Sequence, residues 1–312
     1  MPPKITVIGS LNIDLVVQAP RMPAPGETIA GHGFHTVPGG KGANQAVAAA
    51  KLGAQVTMVG RVGDDSFGRM QRRSMEALGI RTDFLITDEE APTGTALIIV
   101  DTQGQNSIVV IAGANGQLTP DDVEAARPAI EASDGVLLQL EIPIPTVQRA
   151  VEVARELDVP VILNPAPAPS KPPPASILQS VDYLIPNEFE AAALSGFKVT
   201  DQRSAERAAT HLRAQGIEVV ILTLGAQGAL AISSQGMTSI PAFSVEVVDT
   251  TAAGDAFVAA FGVAVCEGQP LTEALRFANA AGALTTTKLG AQPSLPSREK
   301  VEAFLQEVER EI

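Results

Sequence analysis

Cysteine, histidine and basic residues are scarce in this chain, and each scarcity excludes a class of protein. The 312 residues include one cysteine, Cys266, which excludes an internal disulfide framework and is ordinary for a reducing cytoplasm. The three histidines, His32, His35 and His211, are scattered among different elements, which argues against a histidine metal site. The 35 acidic residues outnumber the 22 basic ones, and the net charge of −13 repels nucleic acid and anionic membranes. We therefore expect no nucleic-acid partner and no membrane partner.

Long apolar runs are also missing from the sequence. No run reaches the about 20 residues that a membrane-spanning helix needs. The apolar run near the N-terminus is too short for a secretion signal, so we expect a cytoplasmic protein. Apolar residues make up 45% of the chain and charged residues 18%, which is the balance of a soluble globular protein with a substantial core.

Short apolar runs of strand length alternate with helical patterns along most of the chain. These runs are Ile5 to Ile8, Val56 to Val59, Gly135 to Leu140, Val159 to Leu163, Tyr183 to Ile185 and Val219 to Leu224. They lack polar alternation, as expected for parallel strands that helices cover on both faces. The order predicts an α/β fold with a doubly wound, mostly parallel sheet, whose ligands bind at the carboxyl ends of the strands.

Two segments interrupt this pattern, near residues 11–37 and 93–112. Within the second segment, Thr93 to Asp101 and Asn106 to Ile111 are two strand-like runs joined around Gly104, which is typical of a hairpin. Together the two segments predict a small antiparallel β lid over the active site that we expect at the carboxyl ends of the strands. We expect residues 1–312 to form a single domain that carries this lid.

The clearest chemical motif is DTTAAGD at residues 249–255, between a strand-like segment at Val245 to Val248 and a predicted helix. Small side chains at residues 252–254 allow the backbone amides of a helix N-terminus to approach a polyphosphate. A carboxylate is unfavourable inside an anion site, so we interpret Asp255 as a general base aimed at an acceptor hydroxyl. The alternative is that Asp255 caps the helix.

A second glycine-rich segment, GGKGANQ at residues 39–45, precedes a helical pattern. It is not a phosphate-binding P-loop, because glycine follows the lysine where serine or threonine is required. Its glycines would allow close approach of a small polar ligand, with Asn44 as a hydrogen-bond partner. A flexible turn is the alternative.

Further polar side chains follow predicted strands. Asn12 and Asp14 could bind vicinal hydroxyls of a sugar, although a turn accounts for the same pattern. Glu141 lies at the end of its strand, where this fold places ligand contacts. The carboxylates in Asn187-Glu188-Phe189-Glu190 could order waters around Mg²⁺, or could mark an acidic helix start. The segment TLGAQG at residues 223–228 suits a loop that passes close to a nucleotide.

In this order, the segments resemble the ribokinase family of carbohydrate kinases over essentially the whole chain. GGKGANQ and DTTAAGD are similar to the two signatures of the family, and NPAP at 164–167, PNE at 186–188 and KLGAQPS at 288–294 are similar to its other segments. The resemblance implies a kinase that uses ATP to phosphorylate D-ribose at the 5-hydroxyl. It also implies Mg²⁺ as a cofactor, K⁺ as an activating cation, and a homodimer formed through the lid.

The resemblance further implies a role for each candidate residue. The catalytic group would be Asp255, with Ala252, Ala253 and Gly254 as the anion hole. The sugar site would comprise Asn12, Asp14, Gly40, Lys41, Gly42, Asn44 and Glu141, beside Asp255. ATP would contact Asn187, Thr223, Gly225, Gly228, Gly254 and Asn279, and Glu190 would reach Mg²⁺ through water. The monovalent-cation site would comprise Asp249, Thr251, Thr285, Lys288, Gly290 and Ser294, largely through backbone carbonyls.

Two positions depart from the family pattern, and three alternative functions stay open. Ala256 and Asn279 stand where threonine and histidine are more frequent, which bears on the fit of the nucleotide. The first alternative is a sibling kinase for a nucleoside, deoxyribose or fructose. The second is a catalytically silent sugar-binding module, against which the intact Asp255 argues. The third is a dinucleotide oxidoreductase, which the lack of Gly-x-Gly-x-x-Gly after the first strand disfavours.

Overall fold

A computed structural model describes residues 1–311 of the chain. The strands are β1 (Lys4–Ile8), β2 (Asn12–Gln18), β3 (Gly33–Gly39), β4 (Gln55–Gly63), β5 (Arg81–Asp88), β6 (Gly94–Val100), β7 (Asn106–Ile111), β8 (Gly135–Leu138), β9 (Val161–Leu163), β10 (Tyr183–Leu184), β11 (Val219–Thr223), β12 (Ala229–Ser233) and β13 (Gly236–Ile240). The α-helices are α1 (Lys41–Lys51), α2 (Ser66–Glu76), α3 (Pro120–Ala125), α4 (Arg127–Glu131), α5 (Ile144–Glu156), α6 (Ala175–Leu178), α7 (Glu188–Ser195), α8 (Gln202–Ala214), α9 (Ala253–Cys266), α10 (Leu271–Thr286), α11 (Ala291–Ser294) and α12 (Arg298–Glu311).

The larger sheet is mostly parallel and confirms the predicted fold class. Within residues 1–311 its strand order is β13-β12-β11-β10-β9-β8-β1-β4-β5. The pairs from β5 to β11 are parallel, and β12 and β13 extend one edge in antiparallel orientation. The predicted strand at Val245 to Val248 is wrong: these residues are irregular, and Val247 and Val248 are exposed.

Helices cover both faces of this sheet, which explains the uninterrupted apolar runs. Leu137 packs with α1, α9 and α10 on one face, and its neighbour Leu138 packs with α5 and α8 on the other. Both leucines are fully buried, and each burial contributes about 1.5–3 kcal/mol to folding. In the part of the chain that the structure describes, no helix is both long enough and apolar enough to cross a bilayer.

The smaller sheet has the order β3-β2-β6-β7 among the described residues and includes the predicted hairpin, β6 and β7. Its two outer pairs are antiparallel, and the central pair of β2 and β6 is parallel. β2 follows β1 after three residues, and β3 leads through Gly40 directly into α1. The small sheet is therefore attached at the carboxyl end of β1, beside the N-terminus of α1.

The carboxyl ends of the parallel strands meet at one edge of the large sheet. Ser10, Gln139, Asn164 and Asn187 lie a few residues beyond the ends of β1, β8, β9 and β10. The helices α1 and α9 begin at the same edge, since both contribute residues that contact one another there. This arrangement brings together polar groups that are far apart in the sequence.

Candidate active site

Asp255 is a buried carboxylate at this edge. It lies in the first turn of α9 and is 6% exposed. Its Oδ2 accepts a hydrogen bond from Asn44 Nδ2 at 2.9 Å, and its Oδ1 accepts one from Gln45 Nε2 at 3.1 Å. Burial raises the pKa of Asp255, while Lys41 and the two amides oppose the shift. The carboxylate therefore binds side chains of α1 and does not cap its own helix.

Lys41 supplies positive charge next to this carboxylate. It begins α1 and lines the same cavity as Asp255. Burial lowers the pKa of its ammonium, but Asp255, Glu141 and Glu190 outweigh burial and hold that pKa above its ordinary value. Lys41 is therefore a charged group at neutral pH. Its ammonium lies where the negative charge of a transferred anionic group would need a compensating positive charge.

The cavity beside Asp255 has a volume of about 200 Å³. Its lining includes seven residues that the sequence nominated: Lys41, Asn187, Glu190, Thr223, Ala252, Gly254 and Asp255. Five further residues complete the lining: Asn164, Ala166, Ile185, Thr250 and Val258. Residues predicted to bind the sugar, to bind the nucleotide and to catalyse the reaction thus line the same cavity.

The N-terminus of α9 opens onto this cavity. Ala252 adopts the left-handed conformation with φ of 61°, which costs a residue other than glycine about 1–2 kcal/mol. A Cβ added at Gly254 would meet no heavy atom within 4 Å, so the backbone there faces open space. Of the three residues predicted for the anion hole, Ala253 donates its N–H to Thr250 O at 3.2 Å. That hydrogen bond leaves the amides of Gly254 and Asp255 as the better anion ligands.

Asp14 and Asn12 lie on β2 of the small sheet, and Asp14 is close enough to Asp255 to interact with its charge. Burial, followed by the charges of Glu141 and Asp255, raises the pKa of Asp14 from its ordinary 3.8 to about 7. Asn12 is buried, and its Oδ1 accepts a hydrogen bond from Asn115 Nδ2 at 2.7 Å. That bond directs the amide nitrogen of Asn12 to act as the free donor. The pair thus offers a donor and an acceptor on one strand.

Glu141 connects the end of β8 to the start of α1. Its Oε2 accepts hydrogen bonds from Ser10 Oγ at 2.5 Å and from the backbone N–H of Lys41 at 3.1 Å. A Cβ at Gly40 or Gly42 would lie 2.6 Å from the backbone nitrogen of Asn12 or Ser10, respectively. These glycines therefore allow the helix start to pack against the loop after β1, where the sequence had indicated close approach of a ligand.

Of the residues predicted to contact ATP, Asn187, Thr223 and Gly254 line the cavity. Asn187 caps α7, and its side chain exchanges hydrogen bonds with Glu190 in a capping box. Thr223 ends β11 and forms a β-bridge with Asn187. Gly225 has a φ of 51° and faces open space.

Two residues predicted to contact ATP, Gly228 and Asn279, have close contacts within the protein. A Cβ at Gly228 would lie 2.1 Å from Ile240 O, so this glycine is required by packing. Asn279 lies in α10, and its Nδ2 is 3.3 Å from both Ile240 O and Pro241 O. Its amide nitrogen thus holds the segment after β13, and its oxygen is the group left for a ligand.

Asp249 joins the loop before α9 to the loop between α10 and α11, and the residues predicted for a monovalent cation lie in or next to these two loops. Its Oδ1 accepts from the N–H and Oγ1 of Thr251, and its Oδ2 accepts from the N–H of Gly290 at 2.8 Å. Burial opposes ionisation of Asp249, but these hydrogen bonds outweigh it and lower its pKa. The hydroxyls of Thr285 and Ser294 bond to helix carbonyls, and Lys288 lies in the loop between α10 and α11. The Asp249 side chain thus organises these loops.

Residues outside the predicted set complete the site. Ser10, Gln45, Asn115, Gln139 and Asn164 are buried and bond directly to candidate residues or to one another. Gln45 and Asn164 lie within the segments GGKGANQ and NPAP, so these motifs contained a signal for them. Among residues 1–311, no group of three or more His, Cys, Asp and Glu side chains is arranged to hold a metal ion.

Comparison with known proteins assigns this constellation to a family. Residues 2–298 match the family described as pfkB family carbohydrate kinase. The chain belongs to the pfkB family of carbohydrate kinases. Among curated relatives, the ribokinase of Bacillus subtilis (strain 168) is 45% identical over 301 residues, which cover 96% of this chain and 99% of the relative.

Two further pfkB relatives bear on the substrate. The deoxyribokinase of Salmonella typhi is 37% identical over 301 residues, covering 96% of this chain and 98% of the relative. The structure of Arabidopsis thaliana ribokinase complexed with ribose and ATP is similar, with a TM-score of 0.90 and 35% identity. That likeness covers 98% of this chain and 99% of the plant chain.

Proposed function

We propose that this pfkB kinase transfers the γ-phosphoryl group of ATP to the 5-hydroxyl of D-ribose, giving ribose 5-phosphate and ADP. The observation that carries the proposal is the position of Asp255. Its carboxylate is bonded to the sugar-side residue Asn44, and the backbone amides of its helix start face the open cavity. One group thus lies between an acceptor hydroxyl and an anion site. Ribokinase relatives that match nearly the whole chain support the same reaction.

The chain's own residues account for the transfer. Asp255 accepts the proton of the 5-hydroxyl as the oxygen attacks the phosphorus in line with the leaving ADP oxygen. The N–H groups of Gly254 and Asp255 and the ammonium of Lys41 stabilise charge on the phosphoryl oxygens. Asn12 and Asp14 hold the sugar hydroxyls, and closure of the small sheet over them excludes water.

Mg²⁺ and K⁺ fit the residues present in different ways. Mg²⁺ keeps several waters and binds substrate phosphates, and when bound it would neutralise their charge. Glu190 suits a contact through water, because it lines the cavity while both of its oxygens already accept hydrogen bonds from Asn187. K⁺ would be held by carbonyls of the loops that Asp249 joins, next to the start of α9.

A substrate panel tests the proposal. Release of ADP from ATP is measured with ribose, 2-deoxyribose, fructose, adenosine and uridine, and ribose is expected to give the highest kcat/KM. The likeness to a deoxyribokinase makes 2-deoxyribose the second candidate. A higher kcat/KM for 2-deoxyribose or a nucleoside would assign a sibling kinase. Ribose binding without ADP release would instead support a silent sugar-binding module.

The small sheet supports the further proposal of a homodimer. By strand pairing, Phe34, Leu97, Val109 and Ile111 lie on the face opposite Asp14, and all four side chains are 45–63% exposed. A contiguous exposed apolar face on an open sheet marks an interaction surface. Val109→Lys is expected to convert a dimer to a monomer in light scattering. Met237→Lys, which charges an exposed residue of β13, is the matched control. The single domain and the cytoplasmic location stay predictions.

A further inference from the structure

Behind Asp255 lies a chain of three buried amide side chains. Gln45 in α1, Gln139 after β8 and Asn164 after β9 are 0%, 0% and 7% exposed. Gln45 Nε2 donates to Asp255 Oδ1 at 3.1 Å and lies 3.3 Å from Asn164 Oδ1. Gln139 Nε2 in turn donates to Gln45 Oε1 at 2.6 Å. The base therefore rests on a connected series of hydrogen bonds that starts at Gln139.

The orientation of the Gln45 amide is determined by its neighbours. Its nitrogen faces two oxygens, and its oxygen faces the nitrogen of Gln139. Asn164 is fixed in turn, because its Nδ2 donates to the carbonyl of Ile185 at 2.9 Å. Rotating the Gln45 amide by 180° would place oxygen against two acceptors and nitrogen against a donor. One orientation is therefore strongly preferred, and it presents a donor to Asp255.

The amide oxygen of Gln139 does not stabilise the fold. Its Oε1 is fully buried and lacks a hydrogen-bond donor among the described residues. A buried amide oxygen without a partner destabilises the folded state, whereas an apolar side chain of the same length would avoid that loss. The approach is close, since a Cβ at Gly9 would lie 2.0 Å from this oxygen. What glutamine provides here is the donor to Gln45.

We propose that Gln45 and Gln139 are positioning residues, in which Gln139 fixes the Gln45 amide and Gln45 holds the Asp255 carboxylate toward the acceptor hydroxyl. The inference rests on the proposed function, because it takes Asp255 as the base. Without Gln139, the Gln45 amide is free to rotate and to turn its oxygen toward Asp255. An acceptor in that place disfavours the ionised carboxylate, so the base becomes harder to deprotonate.

The test is the pH dependence of kcat at saturating ribose and ATP. Gln139→Met keeps the length of the side chain and removes the amide. It is expected to lower kcat at pH 7 about tenfold and to move the acidic limb of the profile up by about one pH unit. KM for both substrates should stay within about twofold, because Gln139 touches neither ligand site. Gln139→Asn keeps an amide that is too short to reach Gln45, so it should give the same shift if Gln139→Met does not fold.

Two controls separate positioning from stability. Thr6→Val removes the buried hydrogen bond from Thr6 Oγ1 to Ala129 O, away from the site, and should lower the melting temperature without moving the profile. Lys41, Glu141, Asp14 and Glu190 also face Asp255 and are present in every variant, so their charges cannot produce the difference.

A double-variant cycle decides whether Gln139 acts through Gln45. In a Gln45→Met background, Gln139→Met is expected to have no further effect on the profile. A full additional shift there, or an unchanged profile in both Gln139 variants, would overturn the inference. Normal kcat in Asp255→Asn would instead refute Asp255 as the base, and absence of ADP release with ribose in the substrate panel would refute the proposed function, so these failures are distinguishable from failure of the inference.

Discussion

Asn44 Nδ2 lies 2.9 Å from Asp255 Oδ2, although 211 residues separate them in the sequence. Asn44 belongs to the helix that follows the small sheet, and Asp255 belongs to the helix that opens onto the phosphoryl cavity. The hydrogen bond therefore connects the residues predicted for sugar binding to the group predicted for proton transfer. It also favours the ionised form of Asp255, which burial opposes.

Asp255→Asn is expected to lower kcat by about 10² or more, because the variant cannot accept the proton of the hydroxyl. Affinities for ribose and ATP should stay within a few-fold. Steady-state kinetics measures kcat, and calorimetry measures the affinities for ribose and ATP. Asp182→Asn is the control, since Asp182 accepts a backbone hydrogen bond from Val161 at the opposite end of β9 and should leave kcat unchanged. Near-normal kcat in Asp255→Asn would refute the assignment of the base.

Ribose binding at neutral pH is expected to release protons from Asp14. The pKa of this carboxyl is about 7 without ligand, and hydroxyl donors of the sugar favour the ionised form and lower that pKa. At pH 7 about half a proton should leave per ribose bound, and affinity should fall as the pH drops below 7. Calorimetry in two buffers of different ionisation enthalpy measures the release. Asp14→Asn should abolish it, and equal heats in both buffers for the unmodified chain would contradict the prediction.

The same shift has a consequence for stability without sugar. Because the folded-state pKa of Asp14 is raised from 3.8 to about 7, the folded chain binds more protons than the unfolded chain between these values. The contribution of this group to stability is therefore fully present below pH 3.8 and is lost as the pH rises through 7. Asp14→Asn should flatten this component of the melting-temperature profile between pH 5 and pH 8, measured by calorimetry.

Asn115→Leu is expected to weaken ribose binding without changing KM for ATP. Asn115 bonds to the backbone N–H and C=O of Leu11 and to Oδ1 of Asn12, so its loss frees the Asn12 amide to rotate. We expect KM for ribose to rise about tenfold, which corresponds to about 1.4 kcal/mol. Asn115→Leu also leaves buried backbone groups unpaired and should lower the melting temperature. Unchanged KM for ribose in a folded variant would remove Asn115 from the site.

K⁺ is expected to raise kcat more than it changes ribose affinity. A cation held by the loops that Asp249 joins would order the backbone before α9 and preorganise its amides, without touching the sugar. Na⁺, being smaller, should order the same carbonyls less well. Steady-state rates and melting temperatures are compared in K⁺, Na⁺ and a tetraalkylammonium salt at constant ionic strength. Equal rates and equal melting temperatures in all three would remove the cation site.

The sequence predicted the parallel strands well because their burial on both faces leaves an unbroken apolar run. The run from Val219 to Leu224 became β11, Val219–Thr223, within one residue. The same criterion failed at Val245 to Val248, where β-branched residues are exposed and have no strand to pair with. It also passed over β12 and β13, which pair in antiparallel orientation at one edge of the sheet. The apolar composition of a segment indicates burial and β propensity, but it does not indicate which strand the segment pairs with.

The candidate site was predictable where glycine-rich motifs carry it and unpredictable where single polar residues do. Gly254 and Asp255 belong to a recognisable helix start. Ser10 and Gln139 are ordinary residues until the fold brings Glu141 and Gln45 next to them, across 131 and 94 residues of sequence. A hydrogen-bond partner at that distance along the chain leaves no local pattern. The supporting residues of a buried carboxylate therefore need coordinates to be identified.

The attachment of β2 and β3 at the edge of the large sheet has a consequence for how such enzymes diversify. Asn12 and Asp14 lie on the small sheet, whereas Asp255 and the backbone amides of α9 lie at the edge of the large sheet, and Gly40 joins β3 to α1. If these residues have the proposed roles, substitutions within the small sheet can alter which alcohol is accepted while the phosphoryl-transfer groups keep their geometry. Under the proposed roles, acceptor preference can therefore diverge between relatives through changes in β2, β3 or β6 without loss of phosphoryl transfer.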